Sequence, residues 1–486
     1  MAHRLRRRSA LVAWLTLSMF ACGGGRPIPA DYALIHATVI DGTGSAPKPG
    51  MTVVVKGDRL VEVARDETVA LAPGTTTFDL TGEYIIPGLA DMHAHNQENI
   101  SPSLFVVNGV TTVREMSGAP YVLQWKEKIR AGELLGPRLV VGSPMIDGAP
   151  SLWENVPAPF VSVTDAAGAR AAVSDAKRQG YDFVKVYSRL SRDAYAGLTD
   201  QARIEGMRFA GHCPDSVSLS EASAAGQASF EHLFGLLYAT SSEEGALRAR
   251  VDQIQLELGP FGGYNSWFHQ VEPLEWDAAG THSPEKAAAL YQALVRDGSA
   301  QVPTLTTLRL LDLPADVAVA DDERLKYFPV SVVEGWKAEL EWIFLAGRTP
   351  EEDAQRRELF ARRLALVGAL HRAGVKVLAG TDAITPWVFH GFSLHDELGL
   401  LVEAGLTPME ALQAATLEPA RFLGLEASAG TVEKGKAADL VILDANPLEA
   451  ISNTKKIHAV VAQGKWISPE RRDAVLKELE ASAKDL

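Results

Sequence analysis

The spacing of apolar positions changes twice along the chain. Residues 32–80 carry short apolar runs that predict strands over 33–41, 51–56 and 59–63, with Gly57-Asp58 as a hairpin turn between the last two. The far end mirrors this, because 430–444 and 456–466 predict strand pairs punctuated by glycine. Two β-rich ends around a different middle predict that residues 32–82 and 426–470 pack together as one small β-sandwich. Between them, over 83–425, short apolar runs alternate with helical stretches. Strands are predicted at 85–93, 110–114, 138–142, 183–187, 208–213, 229–233, 301–306 and 376–381, and helices at Ala166–Gln179, 193–205 and 220–225. Eight repeated βα units predict an α/β fold of the (β/α)8 TIM-barrel type. A doubly wound open sheet would need a glycine-rich phosphate turn after an early strand, and none is present. Two connections are long. The stretch 259–267, rich in glycine and aromatics, reads as a loop, and 330–370 reads as extra helices above the barrel. Thr407-Pro408-Met409-Glu410 predicts a helix start with a capping box, and 471–486 a closing helix or tail.

Composition narrows the function classes. In 486 residues, 47% are hydrophobic and 22% charged, which are globular values. The net charge of −14 and the lack of a basic stripe argue against nucleic-acid binding. Two cysteines, Cys22 and Cys213, exclude a cysteine-built zinc site and a disulfide scaffold. The N-terminus combines Arg4, Arg6, Arg7 and Arg8 with an apolar run over 10–20, too short to span a bilayer. Residues 1–21 therefore read as an export signal. Ala21-Cys22 resembles a bacterial lipoprotein site, which makes Cys22 the lipidation candidate and a periplasmic membrane face the expected location. A lipid anchor there would be the membrane link of an otherwise exported chain; a homo-oligomer is left open.

The candidate chemistry sits at strand ends. In Asp91-Met92-His93-Ala94-His95 the two histidines face the same way, at a spacing that suits one metal ion. Lys185 lies on the inward face of Phe183-Val184-Lys185-Val186-Tyr187, where a bare ammonium is costly. It is either a structural ion pair or, after reaction with CO2, a carbamate able to bridge two metals. His212, His232 and Asp382 end three further strands. Each alone suits a packed core residue. Together, all at C-terminal strand ends, they form a nitrogen and oxygen ligand set suited to Zn²⁺ or a similar divalent ion.

The run Ile86-Pro87-Gly88-Leu89-Ala90-Asp91-Met92-His93-Ala94-His95, with Gly109-Val110-Thr111-Thr112-Val113-Arg114, Gly380-Thr381-Asp382 and Gly430-Thr431-Val432-Glu433-Lys434-Gly435, resembles the amidohydrolase superfamily. The imidazolonepropionase-like and prolidase-like members are the nearest in pattern. The resemblance implies a distorted barrel with a β-sandwich built from both ends. It implies two divalent metal ions, Zn²⁺ being the expected one. His93 and His95 would hold one, His212 and His232 the other, with carbamylated Lys185 bridging and Asp382 serving as ligand and proton shuttle. Two stretches depart from the prolidase-like pattern: Tyr187-Ser188-Arg189-Leu190-Ser191 lacks the usual glycine pair, and His212-Cys213-Pro214 lacks a second histidine. Both face the substrate side.

The expected activity is hydrolysis of an amide or peptide C–N bond in a small molecule, such as a dipeptide or N-acyl amino acid, by a hydroxide held between the metals. The alternative is a cyclic amide, lactone or organophosphate ester on the same metals. A non-catalytic binding lipoprotein would have lost ligands, and the set is intact. Tyr187, His390 and Arg114 are the substrate-binding candidates.

Overall fold

The computed structural model describes residues 27–259 and 262–485. Residues 1–21, expected as an export signal, and Cys22 lie outside the described residues. Among the described ones, no helix is long and apolar enough to cross a membrane.

The two chain ends do pack together, but edge to edge. The described strands form one eight-stranded sheet in which Tyr84–Pro87 and Leu440–Leu443 pair antiparallel, Ile85 opposite Ile442. From that seam the sheet runs through Tyr32–Val39 to the predicted hairpin of Lys48–Lys56 and Arg59–Arg65 on one side. On the other side it ends with Ile457–Ala462 and Lys465–Ile467. Leu34, Val53, Leu60, Leu440 and Val461 are fully buried over one face. The expected sandwich is thus seen only in part, because backbone pairing at 84–87 and 440–443 merges the two ends into one sheet.

The middle strands are parallel and fall into two sheets. One holds Leu89–Ala94, Val110–Glu115 and Arg138–Val141. The other runs Phe160–Val163, Met145–Gly148, Phe183–Val186, Arg208–Gly211, Ser229–Glu231 and Ala300–Val302. Their edges touch through an isolated bridge between Gly142 and Phe183. The eighth predicted strand, 376–381, forms no ladder. It makes a bridge from Val377 to Gln301, and Met92 N–H donates to Ala379 C=O at 2.9 Å. The predicted continuous ring of strands is therefore not closed. The reason lies at its end: Thr381 and Asp382 N–H both donate to His93 C=O, at 3.1 and 2.7 Å, and Asp382 turns to φ 62°. That curl takes the backbone out of strand geometry and delivers the carboxylate.

The helices Ala166–Gln179, Arg192–Glu205 and Leu219–Ala224 pack outside the strands as predicted. The Thr407–Glu410 capping box starts Pro408–Ala414, and Pro469–Asp485 closes the chain. The stretch expected as a loop over 259–267 instead opens the helix Tyr264–Gly280, with Trp267 and Phe268 buried on it. The region 330–370 is helical, with a π-helical turn over Leu340–Leu345 between Val330–Glu339 and Pro350–Arg372. The pair Met145–Gly148 and Phe160–Val163 was not legible, since each is four residues long and set among loop residues.

Gly380 marks the tightest approach on which the site depends. A Cβ there would lie 2.6 Å from Val302 Cγ1 and 2.8 Å from His93 N. Gly380→Ala should cost about 1–3 kcal/mol through overpacking and lower the melting temperature. An unchanged thermal midpoint would show that the seam relaxes freely.

Candidate metal centre

Each histidine is aimed by the hydrogen bond its Nδ1 makes. His93 Nδ1 meets Glu231 Oε2, His95 Nδ1 meets Ser117 Oγ, His212 Nδ1 meets Ser188 Oγ and His232 Nδ1 meets Thr304 Oγ1, all at 2.7 Å. All four histidines line one cavity, where His93 and His232 have ring centroids 4.5 Å apart and His212 and His232 5.0 Å. Asp382 Oδ1 lies 3.3 Å from His93 Nε2 and 3.1 Å from His95 Nε2. The His93 Nε2 atom is buried and has no hydrogen-bond partner. Ligand atoms of His93, His95 and Asp382 all fall within 4.8 Å of one another. An orphaned imidazole nitrogen beside a carboxylate is what a divalent cation would complete.

Electrostatics agree with that reading. Burial, joined by the Lys185 charge, lowers the pKa of His93 and holds that of His212 well below normal. Burial takes His232 to about 3, against the pull of Asp382. These rings are therefore neutral, as ligands must be. Burial opposes ionisation of Asp382, but His232, His93 and His95 outweigh it and keep the carboxyl well below its ordinary value. His95 is the exception: burial works against its protonation, yet Asp382 and Glu115 lift it to about 9.

Lys185 is 1% exposed, lines the same cavity, and has no carboxylate within 4 Å of Nζ among the described residues. Its Nζ lies 5.9 Å from the centroid of the Tyr187 ring. Burial lowers its pKa to about 8. The structural ion pair that sequence reasoning weighed for Lys185 is thus not present.

The substrate candidates divide. Tyr187 lines the cavity and stacks on His212 at 4.1 Å. Arg114 does not line it. Its guanidinium donates to Glu231 at 2.9 and 3.0 Å, to Ser229 Oγ at 2.9 Å and to Met92 C=O at 2.6 Å. Its fork is used up on the groups behind His93, so it positions Glu231 and does not meet substrate. His390 is also turned away: it pairs with His95 C=O at 2.9 Å and packs against Phe105.

Sequence reasoning missed Glu231, Asp91 and the three hydroxyls. Glu231 precedes His232, so strand alternation would send one of them outward. The left-handed turn at His232, φ 59°, breaks the alternation and lets both face inward. Asp91 accepts from Thr381 N and Oγ1 at 3.0 and 2.6 Å, tying the first strand to the last.

The amidohydrolase family model matches residues 84–467. The chain belongs to the amidohydrolase family, whose members typically use divalent metal ions. An imidazolonepropionase of Pseudomonas paraeruginosa is 44% identical over 80 residues, 16% of this chain and 20% of that protein. The stretches shared with the first curated relatives cover about a third of those relatives' length, 32%. Among solved structures, bottromycin amidohydrolase aligns with a TM-score of 0.69 at 23% identity, covering 94% of this chain and 91% of that one. A Xaa-Pro dipeptidase with bound methionine aligns at 0.63 and 19% identity, covering 90% and 99%. These two likenesses show the shared fold.

Carboxylates behind a ligating histidine raise its basicity and fix its ring. Glu231→Gln should weaken metal retention about 10- to 100-fold, measured by metal content after dialysis against graded chelator. Retention equal to that of the unaltered protein would remove Glu231 from the centre.

Proposed function

We propose that the protein is a metal-dependent hydrolase of a C–N amide bond in a small molecule. The observation that carries this is that four histidines, Lys185 and Asp382 line one cavity, with ligand atoms of His93, His95 and Asp382 grouped within 4.8 Å. His93, His95 and Asp382 would hold one ion, His212 and His232 a second, with Lys185 as a carbamate between them and Zn²⁺ the natural choice for these donors. Bound there, the ions supply Lewis acidity toward the scissile carbonyl and lower the pKa of water.

The remaining work falls to side chains. Asp382, held ionised, accepts the proton of the attacking water and delivers it to the departing nitrogen. The Tyr187 hydroxyl, kept protonated chiefly by burial, is a donor for the carbonyl oxygen as charge develops. The seating of the centre at parallel-strand ends is consistent with a distorted (β/α)8 barrel over 83–425, flanked by the unit built from 32–82 and 426–470. The same reading takes 1–21 as an export signal and Cys22 as a lipid anchor. Dipeptides and N-acyl amino acids are the substrates first suggested by the sequence. Both end in a carboxylate, and the cavity's charge bears on them below.

Metal-loaded protein should release amine from members of an amide panel and lose that activity with chelator. Asp382→Asn should fall about a hundred- to ten-thousand-fold in kcat with its circular dichroism unchanged. Near-normal kcat would defeat the shuttle role. Turnover confined to lactones or phosphotriesters would keep the centre and overturn the bond type.

Only a neutral amine attacks CO2. At fixed dissolved CO2, recovery of stripped protein on metal addition should therefore rise about tenfold per pH unit below about 8 and level off above it. A flat profile, or two metals retained by Lys185→Ala, would sink the carbamate.

A further inference from the structure

The cavity above the centre is about 680 Å³, large enough for a drug-sized molecule. Its wall is aromatic: Trp153, Tyr264 and Trp336 line it with Tyr187. Among the described residues that line it, Lys185 is the sole lysine and there is no arginine. The helix start at Leu305, which would otherwise attract an anion, is already satisfied, since Leu305 and Thr306 N–H donate to Glu397 at 3.0 and 2.8 Å. Away from the floor that would hold the metals, a substrate carboxylate thus meets no lysine or arginine here.

Two acids line the cavity away from the floor, Glu98, which is exposed, and Glu339, which is half-buried. Glu339 lines the cavity from the end of Val330–Glu339, three residues after Trp336 and so on the same helical face. Trp336 Nε1 donates to Ile384 C=O at 3.1 Å, which fastens this helix beside Asp382. Glu339 has no hydrogen-bond or ion-pair partner among the described residues, and burial alone raises its carboxyl to about 7. A half-buried, unpartnered carboxyl in a cavity with an aromatic wall is half of a cation site; the other half is a ligand.

We propose that the substrate carries an apolar group with a positively charged amine, seated between Glu339 and the aromatic wall, and no free carboxylate near the scissile amide. This rests on the hydrolase reading and narrows its substrate class. It displaces dipeptides and N-acyl amino acids in favour of amides of basic, aromatic or alkyl amines.

The test is a matched series: N-(2-aminoethyl)benzamide, benzoylglycinamide and benzoylglycine, which differ mainly in an ammonium, a neutral amide or a carboxylate. In metal-loaded protein kcat/KM should fall in that order, by about tenfold or more from first to last. Glu339→Gln should erase the ammonium preference through KM with kcat little changed, and Glu339→Lys should turn it toward benzoylglycine. Binding gives an independent readout: benzylamine should quench tryptophan fluorescence of metal-free protein at lower concentration than benzoate, and Glu339→Gln should remove the difference. Equal or better turnover of benzoylglycine, or a benzylamine preference that survives Glu339→Gln, would overturn the inference. Selective benzylamine binding without any amide turnover would leave the inference standing and bring down the hydrolase reading instead.

Discussion

The site depends on one clasp: the carbonyl of His93 accepts two successive amides, from Thr381 and Asp382. It joins the first parallel strand to the last, and no side chain could substitute for it. Because Asp382 must donate from a left-handed backbone, its carboxylate leaves the strand direction and comes to lie between His93 and His95. Left-handed non-glycine residues cost roughly 1–3 kcal/mol each and persist only where surroundings over-determine them. Here Asp91 does so from below, through Thr381, and the open space at Gly380 lets the two backbones approach. His232 and Thr304 repeat the device, at φ 59° and 46°, on the strand that supplies another ligand and the helix start that supplies its hydrogen-bond partner. The strain and the chemistry occupy the same positions.

Behind the ligands the interior is charged, and its balance is close. Arg114, Glu231 and Lys185 are all at most 1% exposed. Two cations and one anion in a dry core would be unfavourable if all were isolated. Arg114 escapes the penalty by spending its donors on Glu231, Ser229 and Met92 C=O. Lys185 has no such partner, so burial lowers its pKa and raises the share of neutral amine, the form that reacts with CO2. The arginine is paired so that a histidine is aimed, and the lysine is left unpaired at the cavity floor.

The residues that line the floor together could be picked out as candidate ligands because metal chemistry restricts residue type and strand alternation restricts direction. His93 and His95 follow from a two-residue period, and Lys185 stands out as a charge in an apolar run. The helix at Thr407 was legible because its cap is local. What failed was whatever depends on backbone away from regular geometry. Glu231 and His232 share a side only through a left-handed turn, and the last strand leaves ladder geometry because Asp382 curls. Arg114 and His390 look like substrate residues in a sequence, since a buried guanidinium network and a ring bonded to a carbonyl leave no local mark. The glycine- and aromatic-rich stretch over 259–267 misled for a related reason: Tyr264 and Trp267 lie on a helix, the first walling the cavity and the second buried.

The covering segment shows why the ligands and the selectivity can vary separately. The floor is set by strand ends held in register by hydrogen bonds. The wall over Val330–Leu345 is one helix continued by a π turn, attached near the centre through Trp336 and Ile384 C=O. A π turn carries an extra residue per turn and re-aims the side chains that follow. In this one Ile343 and Phe344 are 5% exposed and face the cavity, while Trp342 is 63% exposed. Glu339 sits at the junction, where a change of residue alters the charge that a substrate meets without touching the metal ligands. A hydrolase can keep its chemistry and change its substrate at that position, since the energy that tells one amide from another is spent on the wall and the energy that breaks it is spent on the floor.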